Sequence, residues 1–242
     1  MKLNGLKINF LGDSITEGHG TSGTDAIYWS VIKREAGLAE ARGYGIGGTR
    51  YARQHTPTDP RWDLDFCQRM HEMDPDADVI VVFGGTNDFG HGDAPLGKMS
   101  DREPDTFYGA CHYLYSSLIN RYPEATIVIM TPLHRGNEDN PRGDGHKTEN
   151  LATLSEYVAI IKEVAAYYSL PLLDLFSISG IQPKVSISGI LKLYVKPKAS
   201  AYALCSLNSS FITEVIKFII VSLLNKLKSL ASVTIFPSSS CT

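Results

Sequence analysis

Short unbroken apolar runs recur along the chain up to Leu175, each closed by glycine or small polar residues, and stretches with apolar residues at helical spacing separate them. Lys7 to Leu11 is short, apolar and β-branched enough for a buried strand. Leu38 to Gly48 is a weaker strand ending in a pile of glycines. Asp78 to Phe83 is a continuous apolar run of the kind found in parallel sheets. Ala125 to Met130 and Leu170 to Leu175 supply a fourth and a fifth strand. Between them, Thr24 to Gly37, Arg61 to Met73 and Asp105 to Arg121 read as helices, as does the series Leu151, Leu154, Val158, Ile161, Val164 and Tyr168. Thr131 to Asn150 is a long polar loop, a length usually tied to function. Strand and helix alternate, which predicts a parallel sheet covered on both faces.

The pattern changes near Val185. Residues 183–242 hold seven lysines and one acid, Glu214, a net +6 that leaves −9 on residues 1–182 out of the total of −3. Phe211 to Leu224 is apolar but too short to span a bilayer and is interrupted by Glu214 and Lys217, so a buried or amphipathic helix is expected. Two regions follow: a folded α/β domain over 1–182 and an atypical tail over 183–242. At 242 residues and 43% hydrophobic, the chain is long enough for one sizeable core. The slightly acidic balance gives no footprint for nucleic acid. Cys67, Cys111, Cys205 and Cys241 are scattered, with no CxxC, and form no zinc pattern. No metal and no cofactor is expected. The N-terminus carries no apolar signal core, so the expected location is cytoplasmic.

Candidate chemistry begins where the first strand ends, in Gly12-Asp13-Ser14-Ile15-Thr16. A turn at Gly12 leaves Ser14 at the carboxyl end of the strand, the edge of an open α/β sheet where ligands bind. On these residues alone a plain helix cap by Asp13 or Ser14 stands equally beside a nucleophile. Gly43, Gly45 and Gly48 fit a dinucleotide-binding GxGxxG, but after the second strand and without a helix following. Gly92 to Met99 approaches a P-loop, yet Met99 offers no hydroxyl for magnesium. Neither is taken as a nucleotide site.

Three loops after three consecutive strands hold Gly-Asp-Ser-Ile-Thr, the glycine cluster to Gly48, and Gly84-Gly85-Thr86-Asn87-Asp88. This set, in this order, resembles the SGNH hydrolases, or GDSL-type esterases and lipases, over roughly residues 5–182. The resemblance implies a single three-layer α/β/α domain, flavodoxin-like, with five parallel strands in the order 2-1-3-4-5. It implies that Ser14 is the nucleophile, and that Gly48 and Asn87 belong to the oxyanion hole. Attack on an ester carbonyl builds a negative oxygen that needs donors already aimed at it, each typically worth ~3 kcal/mol. The Ser14 and Gly48 backbone amides and the Asn87 side chain supply three. The implied reaction is hydrolysis of a small acyl ester or an acetylated carbohydrate through an acyl-Ser14 intermediate.

The family's last block, an Asp and a His three residues apart that serve the serine as base and orienter, is missing. The last histidine is His146 and the last aspartate Asp174. Out-of-frame or replaced sequence from near Val185 accounts for both this loss and the shift in charge. Asp88 and His91 have the right spacing but share the loop of Asn87. His19, His91, His134 and His146 read as solvated loop histidines, with His134 and His146 the substitutes for the base that deserve testing. The rival readings are a non-catalytic binding module that kept the pocket, and a nucleotide-binding flavodoxin-like protein.

Overall fold

A computed structural model describes residues 3–145, 147–149 and 151–181. Strands β1 (Lys7–Gly12), β2 (Glu40–Gly45), β3 (Val79–Phe83), β4 (Thr126–Met130) and β5 (Leu172–Leu173) form one sheet in the order β2-β1-β3-β4-β5. Every pairing is parallel. Between them lie α1 (Ser14–Glu17), α2 (Tyr28–Ala36), α3 (Phe66–Arg69), α4 (Thr86–His91), α5 (Phe107–Arg121) and α6 (Leu154–Tyr167), and α7 (Leu175–Ile178) follows β5.

The strands alternate sides with period two, so the core divides in two. Leu11, Ile80, Val82, Ile127 and Ile129 pack with Phe66, Leu114, Tyr115, Tyr157 and Ile161 from α3, α5 and α6. Ile8, Phe10, Val81, Phe83, Val128 and Met130 pack on the other face with Tyr28 and Ile32 of α2 and Leu175 of α7. This is the expected three-layer sandwich, in the expected strand order.

Three expectations are corrected. The helix read over Arg61 to Met73 begins only at Phe66, because the Asp65 side chain accepts from Gln68 N at 2.8 Å and fixes the start there, and it passes into a 3-10 turn at Met70–Glu72. The Gly84 to Asp88 segment read as a loop is mostly helix, since Gly85, at φ 102°, turns the chain so that α4 starts at Thr86. The fifth strand shrinks to two residues, as only Leu172 and Leu173 find ladder partners on β4. The tail over 183–242, with its Phe211 to Leu224 stretch, and His146 lie outside the described residues.

Register positions the site. Gly12 stands opposite Gly45 on one side and Phe83 on the other, Phe83 stands opposite Met130, and Met130 opposite Leu173. The carboxyl ends of all five strands thus form one level row, and the loops leaving it share an edge.

Candidate active site

Two residues beyond Gly12, Ser14 opens the single turn of α1, half-buried. Asp13 caps that turn, its Oδ1 accepting from Ile15 N at 3.0 Å. Glycine is required on both strands beneath it. A Cβ on Gly12 would lie 2.0 Å from Thr16 Oγ1, and one on Gly45 would lie 2.0 Å from Glu17 N. The turn therefore rests directly on the ends of β1 and β2.

The loop after β2 runs alongside. A Cβ built on Gly47 would sit 3.5 Å from Ser14 Cβ. Glu17 Oε2 accepts from Gly47 N at 2.7 Å, and its other carboxylate oxygen pairs with Arg61. The next residue, Gly48, takes φ 80°, open to glycine, and its hydrogen on the side-chain face looks onto the Trp62 indole. Among the described residues nothing accepts from the N–H of Ser14 or of Gly48, and nothing bonds the Ser14 hydroxyl. From the third strand end, Asn87 Nδ2 donates to Thr49 O at 2.9 Å, which leaves one of its two amide hydrogens. Ser14, the Gly47–Gly48 step and Asn87 thus lie on three adjacent loops with Thr49 joining the last two.

Arg69, which no sequence pattern marked, ties this edge together from below. Its guanidinium donates to Gly12 O at 3.2 and 3.1 Å, to Thr49 Oγ1 at 2.7 Å and to Tyr44 O. It is 3% exposed, and burial draws its pKa down to about 10, still charged at neutral pH. Burial pushes the Asp13 carboxyl up to about 7, and Asp13 Oδ2 has no partner among the described residues. Arg135, in the long loop, grips α4 from the far side: its Nη1 donates to Thr86 O at 3.1 Å and Thr86 Oγ1 at 3.0 Å, and its Nη2 to Asp144 Oδ1.

The histidines fall elsewhere. His91 Nδ1 faces Arg50 Nη1 at 3.0 Å, and burial, helped by that guanidinium, holds its pKa down at about 4, so it is neutral. Asp88 does not orient it: its carboxylate accepts from Tyr51 N and Ala52 N, both at 3.0 Å. His134 follows β4, two strands over from β1, or about 10 Å at the usual interstrand spacing. Its Nδ1 meets the Glu138 carboxylate at 2.9 Å and its ring stacks on Phe176 beyond β5, at 3.8 Å between centroids. Those contacts draw it toward the β5 side of the edge. Among the described residues no cluster of His, Cys, Asp or Glu is arranged to hold a metal ion, and no helix is long and apolar enough to cross a membrane.

Residues 10–203 match the GDSL-like lipase/acylhydrolase family. The chain belongs to that family. A solved structure 30% identical to it aligns over 92% of this chain and 99% of its own, with a TM-score of 0.71. A Lactobacillus plantarum protein, 25% identical, covers 92% of this chain and 98% of its own at the same TM-score of 0.71. A carbohydrate acetylesterase family member from Sinorhizobium meliloti shares the fold at 15% identity and a TM-score of 0.55, over 91% of this chain and 99% of its own. No curated protein matches the sequence closely. Membership in an acylhydrolase family makes this a hydrolase fold.

Proposed function

We propose that this protein is a carboxylic-ester hydrolase in which Ser14 attacks the acyl carbon, while Ser14 N–H, Gly48 N–H and Asn87 Nδ2 receive the oxyanion. The observation that carries this reading is the division of labour in the glycine step. Glu17 occupies the Gly47 amide beside Ser14, and the Gly48 amide next to it is left without a described partner. Donors held in place before reaction are what a developing oxyanion needs. The substrate class is a small acyl ester or an acetylated carbohydrate, in keeping with the acetylesterase relative of like fold.

The base is the missing part. Within these 242 residues no histidine follows His146, and His134 is engaged by Glu138 and Phe176. A serine hydroxyl is a weak nucleophile without a neighbour to take its proton. In a comparable serine–histidine site, loss of the base costs on the order of 10⁶ in turnover and leaves about 10³ to 10⁴ over water. We therefore propose that this chain is impaired, and that replaced sequence from near Val185 onward, although the family match runs to residue 203, stands where the Asp-x-x-His block would be. Resequencing the gene there tests the replacement; an intact single frame across it overturns that part.

Hydrolysis of p-nitrophenyl acetate tests the rest. The chain is expected to run barely above background and to change little in Ser14→Ala, and an Asp-x-x-His segment grafted after residue 182 is expected to restore Ser14-dependent turnover. Full activity in the ungrafted chain, abolished by both Ser14→Ala and His134→Ala or His146→Ala, shows that a loop histidine is the base. Failure of every graft to label Ser14 with a fluorophosphonate favours the non-catalytic binding module.

A further inference from the structure

Trp62 is the large apolar side chain left in water beside Ser14, 48% exposed. Its indole lies against Gly48, where a Cβ would come within 2.8 to 3.3 Å of Cδ1, Cγ and Nε1. The preceding residue, Gly47, borders Ser14 Cβ. The indole and the serine therefore both border the same two-glycine step.

The ring is held by its backbone. Trp62 N donates to Asp59 O at 2.9 Å, and Trp62 O accepts from Nη2 of the buried Arg50 at 3.1 Å. The same guanidinium holds Asp63 Oδ1 at 3.0 Å, so the residue after the tryptophan is anchored too. On the other side, Arg61 pairs with Glu17, the residue that also occupies the Gly47 amide. The backbone at Trp62 is thus fixed while about half of the residue stays in water next to Gly48.

We propose that Trp62 is the stacking face of a subsite for a sugar ring on the alcohol side of the ester. The proposal rests on the hydrolase reading above and names its substrate class. A flat apolar face suits the C–H face of a pyranose. Arg61, next to Trp62 in the chain, pairs with Glu17, and their side chains, 54% and 33% exposed, have a donor and an acceptor to offer to ring hydroxyls. An alkyl alcohol laid there would displace water from the pair's exposed edges without replacing its hydrogen bonds, which a sugar's hydroxyls can do.

The test uses xylotriose, a sugar chain without an ester, and 1-hexanol as the alkyl comparator, both titrated into the full chain by calorimetry with tryptophan fluorescence in parallel. Saturable xylotriose binding is expected, weakened at least about tenfold in Trp62→Ala and largely kept in Trp62→Phe, which retains a ring. Ser14→Ala is expected to bind the sugar as well as the parent. Because Trp62 is half exposed, Trp62→Ala should melt within a few degrees of the parent, which separates lost stacking from lost fold. Absence of xylotriose binding, equal affinity in Trp62→Ala, or saturable binding of 1-hexanol alone overturns the proposal. Trp62-dependent sugar binding without Ser14-dependent ester cleavage in the grafted chain removes the hydrolase reading and keeps the subsite. Ser14-dependent cleavage without sugar binding does the reverse.

Discussion

Replacing Arg69 with Met is the sharpest perturbation of the edge on which Ser14 sits. The methionine fills similar space but removes hydrogen bonds to Gly12 O and Thr49 Oγ1, both buried, and to the partly buried Tyr44 O. Gly12 O keeps the amide of Ile46 at 3.2 Å, and the Thr49 hydroxyl keeps Ile46 O at 2.7 Å, so not every group is orphaned. Leaving a buried acceptor without its donor costs ~1–3 kcal/mol, and removing one charge from a buried polar set costs more, so a loss on the order of 3 kcal/mol is expected. Urea unfolding followed by far-UV circular dichroism reads it as a lower midpoint at unchanged slope. Arg69→Lys keeps the charge but cannot bridge three acceptors, and is expected to fall between parent and Met. A Met variant within about 0.5 kcal/mol of the parent would refute the reasoning, because surface substitutions already scatter by that much.

Asp13 should make stability fall as pH rises from about 4 to 7, since its carboxyl binds a proton more tightly folded (about 7) than unfolded (3.8), a span of at most ~4 kcal/mol. Asp13→Asn is expected to lose that slope in urea melts across the window, and an unchanged slope relative to the parent contradicts it. His91 acts in the opposite sense: folded at about 4 and unfolded at 6.5, it lets the unfolded chain take up protons first, so stability is lost as pH falls through that range. His91→Gln should flatten the acid side by up to ~3 kcal/mol, seen as a midpoint less sensitive to pH between 4 and 6.5. Gly45→Ala drives a methyl to 2.0 Å from Glu17 N, so it should cost ~1–3 kcal/mol or more in thermal unfolding, and a neutral result would mean that α1 can lift off the sheet freely.

The parts of the fold that were legible in the sequence are those set by burial on both faces. Val79 to Phe83 and Ile127 to Met130 are apolar throughout because helices cover them on two sides, and a run of that kind has few other uses. Ser14, Gly48 and Asn87 are singled out by the resemblance of three motifs, in order, to the GDSL-type family, since the residues alone leave a helix cap equally open for Ser14. Arg69 could not be, since three of its four hydrogen bonds are to backbone carbonyls, which carry no residue signature. Arg135 escaped for another reason, reaching Thr86 across 49 positions of sequence from a loop without periodicity. The Arg61 to Met73 helix was overdrawn because apolar spacing is blind to Asp65, whose side chain decides where the first turn closes.

In the mechanism proposed above, Glu17 puts a carboxylate beside the place where a second negative charge is built. Left alone, its field would oppose the oxyanion that this mechanism assigns to the neighbouring amides. Arg61 cancels that field, so the turn can use an anion as a structural clasp and still present a neutral surroundings to the reacting carbonyl. The two residues behave as one uncharged unit, and each protects the chemistry from the other: without Arg61 the clasp repels the transition state, and without Glu17 the guanidinium becomes a stray cation able to draw the oxyanion away from the Gly48 amide.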